Sequence, residues 1–260
     1  MTHPLDQRDL PHPAEEPRVR EVDLSRPFVW LRLGARDVAQ APRASLGFGA
    51  LVAALGLLLV AVTWKATYVA PALLGGFLLL APFLAINLYA LSHQLEQGQA
   101  ANTAEAGGAW RANADSIALF GLMLALAYIF WERIAAIVFA LFYSGQALHL
   151  SRLPAELLLS GQYVGLLFAF FAAGAVLAAI VFALSVVSAP LLVDRPVDVV
   201  TAALTSLRCC ARNPGPMLLW AALIATLTAV GFATLMLGLI VIFPWLAYAS
   251  WHAYRDLVEA

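Results

Sequence analysis

Two long runs of the sequence, residues 46–64 and 168–187, contain no charged residue. About 20 apolar residues in a helix cross the roughly 30 Å hydrocarbon layer of a bilayer, where a backbone must satisfy its own hydrogen bonds. The whole chain of 260 residues is 62% hydrophobic and only 12% charged, against roughly 25% charged in an average soluble domain. The sequence therefore predicts an all-α fold, a polytopic helical bundle embedded in a membrane.

Six transmembrane helices are predicted, at about 45–64, 68–91, 116–143, 162–189, 216–232 and 235–254. The last two come from one apolar region, whose length suits two helices joined by a tight turn near Gly231–Thr234. The second contains Pro71 and Pro82, which free backbone groups and predict a kink near Pro82. These helices place residues 25–260 in a single membrane domain.

The first 24 residues are polar and rich in proline, and they lack the apolar core of a signal peptide. We expect residues 1–24 to form a disordered cytoplasmic tail. The tail and the helix that follows it hold seven of the fifteen Lys and Arg residues, whereas the opposite side holds Lys65 and Arg152, with Arg133 near it. The positive-inside rule then predicts a multi-pass protein of the bacterial inner membrane with both termini in the cytoplasm.

Two segments have the pattern of amphipathic helices that lie on the cytoplasmic membrane surface. The first, Phe28–Ala41, has an apolar stripe beside a basic one, and Trp30 is expected to anchor it in the interface. The second follows Asp198 and precedes Pro214. The basic side chains expected at the membrane surface are Arg32, Arg36, Arg208 and Arg212.

The two ends of the chain resemble each other. Arg36-x-x-Ala39-x-x-Pro42 aligns with Arg208-x-x-Ala211-x-x-Pro214, and each motif leads into an apolar span. A Pro-aromatic-Leu-Ala motif recurs at residues 82–85 and 244–247, and residues 110–115 are a candidate for a degenerate middle copy. The pattern predicts repeated units of surface helix and hairpin. Two explanations of the recurring prolines stay open. Broken helices at corresponding positions are typical of transporters with a central site, and prolines that only shape the bundle explain the pattern equally well.

Five segments resemble a family of uncharacterised bacterial six-span membrane proteins, domain of unknown function 2189. The segments are Trp30–Asp37, Leu88–Gln97, Ser188–Arg195, Ala202–Pro214 and Trp251–Leu257. The resemblance extends over nearly everything after about residue 22. It implies an integral inner-membrane protein and supplies no activity, cofactor or substrate.

A few polar residues at or inside the predicted spans are candidates for function. They are Asn87, His93, Glu132, Arg133, Asp194, Arg195, His252 and Arg255. His93 and His252 end two spans in analogous places and could face one cytoplasmic vestibule, although the Trp and Tyr around His252 are also typical of simple interfacial anchoring. Glu132 and Arg133 either mark the far interface or lie inside the bundle as part of a conduction or binding site.

The sequence contains no motif that would indicate an enzyme. It has no H-x-x-x-H, C-x-x-C or H-E-x-x-H spacing, no Walker loop and no G-x-S-x-G elbow. Adjacent Cys209 and Cys210 suit neither a disulfide nor a metal site, and a net charge of −1 gives no reason to expect nucleic acid. We therefore expect no cofactor and no catalytic residue.

Two functional classes remain open. The first is a non-enzymatic scaffold or accessory protein that contacts the lipid bilayer and a membrane-protein partner or a second copy of itself. The alternative is a transporter or channel for a small solute that uses the proline-broken spans. A hydrated cavity reaching the middle of the membrane would favour transport, and a solidly packed bundle would favour the scaffold.

Overall fold

The computed structural model describes residues 17–63, 77, 81–142 and 164–259. Its helices are α1 (Arg26–Gln40), α2 (Pro42–Thr63), α3 (Ile86–Glu96), α4 (Thr103–Ala106), α5 (Ala114–Phe142), α6 (Val164–Ser185), α7 (Ser188–Asp194), α8 (Val199–Arg212), α9 (Pro214–Ala233) and α10 (Leu239–Leu257), with a 3₁₀ turn at Ala109–Asn113. Within the described ranges the only β-pairing is one bridge between Val19 and Val258. The predicted all-α class is confirmed.

Four stretches are long and apolar enough to cross a membrane: Pro42–Val62, Thr103–Leu141, Val164–Asp194 and Pro214–Ala233. They coincide with the first, third, fourth and fifth predicted spans. The connector at Lys65, most of the second predicted span and the loop containing His149 and Arg152 lie outside the described residues. α10 occupies the position of the sixth predicted span, but its C-terminal half is too polar to meet the same criterion. The structure thus supports a membrane protein with several spans, and the count of six stays a prediction.

α10 lies at the centre of the described fold, where it packs against α1, α2, α3, α7 and α9. Two glycines allow the closest of these approaches. A Cβ placed on Gly49 of α2 would lie 1.9 Å from the carbonyl oxygen of Ile240, and one on Gly34 of α1 would lie 2.7 Å from the backbone nitrogen of Ala249. The backbones of α1 and α2 therefore touch α10 directly, as small residues permit at helix crossings within a membrane.

Three irregular points shape the helices around α10. Residues 81–84 are helical and a turn at Ala85 separates them from α3, which places an interruption close to the predicted kink at Pro82. A second break at residues 186–187 separates α6 from α7, and Ser206 Oγ accepts a hydrogen bond from the freed Val187 N–H (3.2 Å). α9 and α10 are joined by a turn at residues 234–238, next to its predicted position.

The junction of α1 with α2 has the same backbone geometry as the junction of α8 with α9. Ala41, between the first pair, has φ −124° and ψ 55°, and Asn213, between the second pair, has φ −124° and ψ 54°. A proline starts the following helix in both cases. In the alignment of the two motifs, buried positions coincide: Trp30 with Ala202, Gly34 with Ser206, and Asp37 with Cys209. The two units agree locally, while a repeat over the whole chain stays a prediction.

Residues 17–25 form a strap that crosses the ends of α8 and α10. Arg20 N–H donates to the Leu257 carbonyl (2.8 Å) and Glu259 N–H donates to the Arg18 carbonyl (2.9 Å). Asn213 Oδ1 accepts from Val22 N–H (2.8 Å), and its Nδ2 donates to the Arg20 carbonyl (2.9 Å). Part of the segment predicted as a disordered tail is thereby held against the opposite end of the chain.

Candidate functional site

Polar side chains from four helices converge on the C-terminal half of α10. This half carries large residues that are almost fully buried, among them Tyr248, Trp251 and Tyr254. α1, α3 and α7 surround it and supply the carboxylates. Trp251 and Tyr254 are therefore not the interfacial anchors that the sequence predicted. Trp30 is likewise fully buried, so its predicted interfacial role is wrong as well.

The first group, here named the Asp37 cluster, joins Asp37 of α1, Ser92 of α3 and His252 of α10. Asp37 Oδ2 accepts a hydrogen bond from Ser92 Oγ (2.5 Å) and lies 2.9 Å from His252 Nε2. The Asp37 and His252 side chains are only 9% and 12% exposed. A carboxylate taken out of water requires such partners, because an uncompensated buried charge costs several kcal/mol. The cluster fixes α1 and α3 to α10.

A second group, named the Asp194 cluster, forms around Asp194 at the end of α7. Its Oδ2 accepts from Tyr254 Oη (2.5 Å) and lies 3.6 Å from both Arg195 Nε and Arg255 Nη1. His93 Nδ1 lies 3.9 Å from the other carboxylate oxygen. Asp194 therefore contacts groups from α3 and α10, in addition to its neighbour Arg195.

Glu96 links the two helices that flank this cluster. Its carboxylate lies 3.2 Å from Arg255 Nε and accepts from Trp251 Nε1 at 3.2 Å. The His93 ring stacks on Trp251 with centroids 5.2 Å apart. Burial pushes the pKa of Arg255 down, but the charges of Glu96 and Asp194 outweigh it and the net pKa is raised. Arg255 is therefore a permanent cation that ties α10 to α3 and α7.

The predicted histidine pair is only partly realised. His93 and His252 do lie at the same end of α10, but they belong to the two different clusters. Asn87 is half-buried on α3, and neither cluster as described includes it. The predicted surface cations Arg32, Arg36, Arg208 and Arg212 are exposed.

Glu132 and Arg133 lie apart from these clusters, on the outer flank of α5. Arg133 Nε donates to Glu132 Oε2 (2.6 Å), and the Arg133 side chain is 71% exposed. At about 1.5 Å per residue, Glu132 is roughly 27 Å along the helix from Ala114. That distance approaches the thickness of the hydrocarbon layer. The pair is therefore not in the core of the described bundle, and its position favours the interfacial interpretation.

Sequence reasoning missed two acidic residues, Asp37 and Glu96. Asp37 follows Arg36 on the first helix. It also lies three residues after Gly34 and seven after Trp30, which is the spacing of one helix face. That spacing could have revealed an acidic residue on a buried face.

The two cysteines do not form a reactive site. Burial raises the pKa of the Cys209 thiol to about 12 and that of Cys210 to about 11. Both are thiols at neutral pH, and the thiol form is a poor nucleophile and metal ligand. Among the described residues no three His, Cys, Asp or Glu side chains come together as a metal site.

A cavity of about 200 Å³ lies deeper in the bundle, beside both proline-bearing segments. Its walls are mainly apolar and come from α2, α6, α9, α10 and the residues around Pro82, with Tyr89, Ser185, Thr228 and Ser250 as polar members. Neither of the two clusters contributes a charged residue to its lining. Among the described residues, this cavity is thus lined mainly by apolar side chains.

The apolar spans and the buried polar cap together define a polytopic integral membrane protein. The model of a family described as predicted integral membrane proteins, domain of unknown function 2189, matches residues 69–194. The match agrees with the resemblance that the sequence analysis identified. The matched part contains α3–α7, with His93, Glu96 and Asp194, while α1, α8 and α10 lie outside it. No match was found among curated proteins or among solved structures.

Proposed function

We propose that the chain is a non-enzymatic scaffold or accessory protein of the bacterial inner membrane. In this proposal both termini are cytoplasmic, and α1 and α8 lie on the inner leaflet. The spans anchor a rigid cytoplasmic cap built from the Asp37 and Asp194 clusters. The protein acts by holding this cap at the membrane surface and by contacting lipids and a neighbouring membrane protein.

The outward face of α8 is the observation that carries the proposal. α8 turns small side chains inward, with Ala202, Ser206 and Cys209 buried. Its larger apolar side chains point outward: Val200, Leu204 and Leu207 are 61%, 46% and 39% exposed. Covering one such side chain is worth about 1.5–3 kcal/mol, and a nearby cation adds about 1 kcal/mol at an anionic membrane surface. A helix with this arrangement is stabilised by lying in the interface.

The pairing of the cap's charges supports a structural role over catalysis. Three carboxylates on other helices contact side chains of α10, namely those of Asp37, Glu96 and Asp194. Their lone pairs are used to hold helices together, and a substrate would have to compete with these contacts. Buried networks that are fully paired fix one arrangement of a core.

The depth of α8 tests the membrane placement. A spin label on Leu204→Cys, in a Cys209→Ala/Cys210→Ala background, is expected about 5–10 Å inside the headgroup boundary. It should collide more often with oxygen than with a water-soluble nickel chelate. A label on Gln99→Cys, in an exposed loop, serves as the water-accessible control. Equal accessibility at both positions would contradict the interfacial placement.

Purification from native membranes in mild detergent, followed by mass spectrometry, tests the scaffold role. A protein recovered in fixed stoichiometry is the expected result. Recovery of the chain alone with one recurrent small molecule would instead favour the second candidate, a small-solute transporter.

The transporter candidate is favoured by one observation, the apolar cavity beside Pro82. Its lining would suit an apolar solute and not an ion. Thr228→Phe, which fills this space, would then displace the recurrent small molecule, whereas a scaffold would keep its partner.

A further inference from the structure

We propose that the cavity beside Pro82 binds a neutral, chain-like lipid whose carbonyl oxygen accepts a hydrogen bond from the Tyr89 hydroxyl. The cavity has a volume of about 200 Å³, and an apolar cavity of roughly 150 Å³ is already large enough to bind benzene. The inference concerns binding alone. It therefore goes beyond the scaffold role and does not require that the ligand is transported.

The shape of the cavity suits an extended chain. The residues of α10 that line it run from Leu239 to Ser250, which at about 1.5 Å per residue is a length of roughly 16 Å. The membrane spans α2, α6 and α9 form other parts of its wall. A space of this volume and length is narrow, and it accommodates an alkyl chain better than a compact molecule.

The two ends of the cavity differ in polarity. At the end next to the cytoplasmic cap, Tyr89 lies one helical turn from Ser92 of the Asp37 cluster. At the other end, Phe77 and Leu239 belong to an apolar cluster. A molecule with one polar group and an apolar chain matches this arrangement.

Tyr89 supplies a hydroxyl that has no partner among the described residues. The residue is only 4% exposed, and its hydroxyl makes no hydrogen bond there. In the described part of the chain, Trp220 Nε1 is the only side-chain polar atom that is both fully enclosed and unpaired, so the Tyr89 oxygen borders open space. The open space that Tyr89 lines is the cavity. A buried hydroxyl without a partner is unfavourable, and a ligand that accepts its hydrogen bond removes this cost.

The chemistry of the lining selects a neutral ligand with an acceptor group. None of the described residues that line the cavity is charged, so a charged group would lose its water without gaining a counter-ion. The Tyr89 hydroxyl is a hydrogen-bond donor, and its match is an acceptor such as a carbonyl oxygen. Lipid esters carry this group next to an alkyl chain, and the spans around the cavity place it where lipids are the surrounding solvent.

Binding of tritiated methyl laurate to the full-length protein tests the proposal. The measurement is a scintillation proximity assay in a sterol-based detergent, which contributes no alkyl chain of its own. In the parent protein we expect saturable binding. Dodecane, which has the chain but no carbonyl, should compete about fivefold more weakly, the effect of one neutral hydrogen bond. Cyclohexanone, which has the carbonyl but no chain, should compete at least about a hundredfold more weakly, because it buries far less apolar area.

Three variants locate the interaction. Tyr89→Phe should weaken methyl laurate binding by about fivefold and leave dodecane unchanged, so that the two molecules then compete equally. Tyr128→Phe is the matched control, since it removes the same hydroxyl from α5, outside the cavity lining, and should keep the preference for the ester. Thr228→Phe fills the cavity and should weaken both molecules.

Several results would overturn the proposal: no saturable binding, equal competition by dodecane in the parent protein, equal losses in Tyr89→Phe and Tyr128→Phe, or full binding in Thr228→Phe. Competition by cyclohexanone at the strength of methyl laurate would assign the cavity to a compact carbonyl compound and overturn it too. The comparison of competitors in the parent protein keeps the proposal falsifiable if Tyr89→Phe is unstable. The partner recovered from native membranes tests the scaffold role separately, because this assay uses the purified protein alone.

Discussion

The unit of α1 and α2 and the unit of α8 and α9 have the same backbone geometry at their junctions, but they bury different kinds of side chain. Both connect two helices through one residue of nearly equal φ and ψ and a following proline. The first unit buries the carboxylate of Asp37 at the position where the second buries the thiol of Cys209. α1 consequently makes a buried hydrogen bond to α10 through Asp37 and His252, while α8 is held by small side chains and leaves its larger apolar ones exposed. A shared backbone thus supports one helix fixed in the protein core and one helix proposed to face lipid.

The largest loss of stability is expected from a methyl group at Gly49. The aligned position of the second unit, Ala221, carries such a methyl group, whereas the contact of α2 with α10 leaves no room for one at Gly49. In Gly49→Ala the new Cβ would meet the Ile240 carbonyl at 1.9 Å, so we expect destabilisation of at least about 3 kcal/mol. Little monodisperse protein should be recovered in size-exclusion chromatography. Gly47→Ala is the control, since a Cβ there meets nothing within 4 Å. Normal recovery of Gly49→Ala would show that α2 does not cross α10 as described.

Asp37→Ala should cost about 2–4 kcal/mol, because it leaves the buried His252 and Ser92 without their shared partner. In a chain of this size that corresponds to a fall of roughly 5–15 °C in the melting temperature in detergent. The aligned change Cys209→Ala removes one sulfur atom and should cost only about 1 kcal/mol. Equal shifts in melting temperature for the two variants would mean that the contact of Asp37 with His252 and Ser92 does not distinguish the two units.

Glu132→Gln should have the smallest effect, because an exposed ion pair contributes about 0–1 kcal/mol. We expect unchanged membrane insertion and a melting temperature within about 3 °C of the parent protein. Failure of the variant to insert would place Glu132 inside the bundle and overturn the interfacial interpretation.

Local patterns were sufficient for the helices that face lipid. The apolar runs of α2, α6 and α9 are continuous, and each ends at a proline, a polar residue or a turn, so their bounds were predicted to within a few residues. The bounds of α1 and α8 were also predicted, because Pro42 and Pro214 interrupt the helical pattern in both units.

The cap could not be predicted in the same way. Asp37 and its partner His252 are 215 residues apart, and nothing in the local pattern of α1 specifies that α10 covers it. Trp30, Trp251 and Tyr254 have the residue types of interfacial anchors, and only the packing of α1, α3 and α7 around α10 makes them core residues. Within the described part of the chain, local hydropathy specifies the spans, while tertiary pairing decides which polar side chains are buried.

The central position of α10 imposes an order on assembly. Ribosomes add about 5–20 residues per second, so the 215 residues between Asp37 and His252 correspond to a delay of about 10–40 s. During that interval α2, α5 and α6 can enter the bilayer. His252, the partner of Asp37, and α10, the helix that packs against Gly49, have not yet been made. The cap therefore closes after these helices have inserted, because α10 is the last of the described helices to be made.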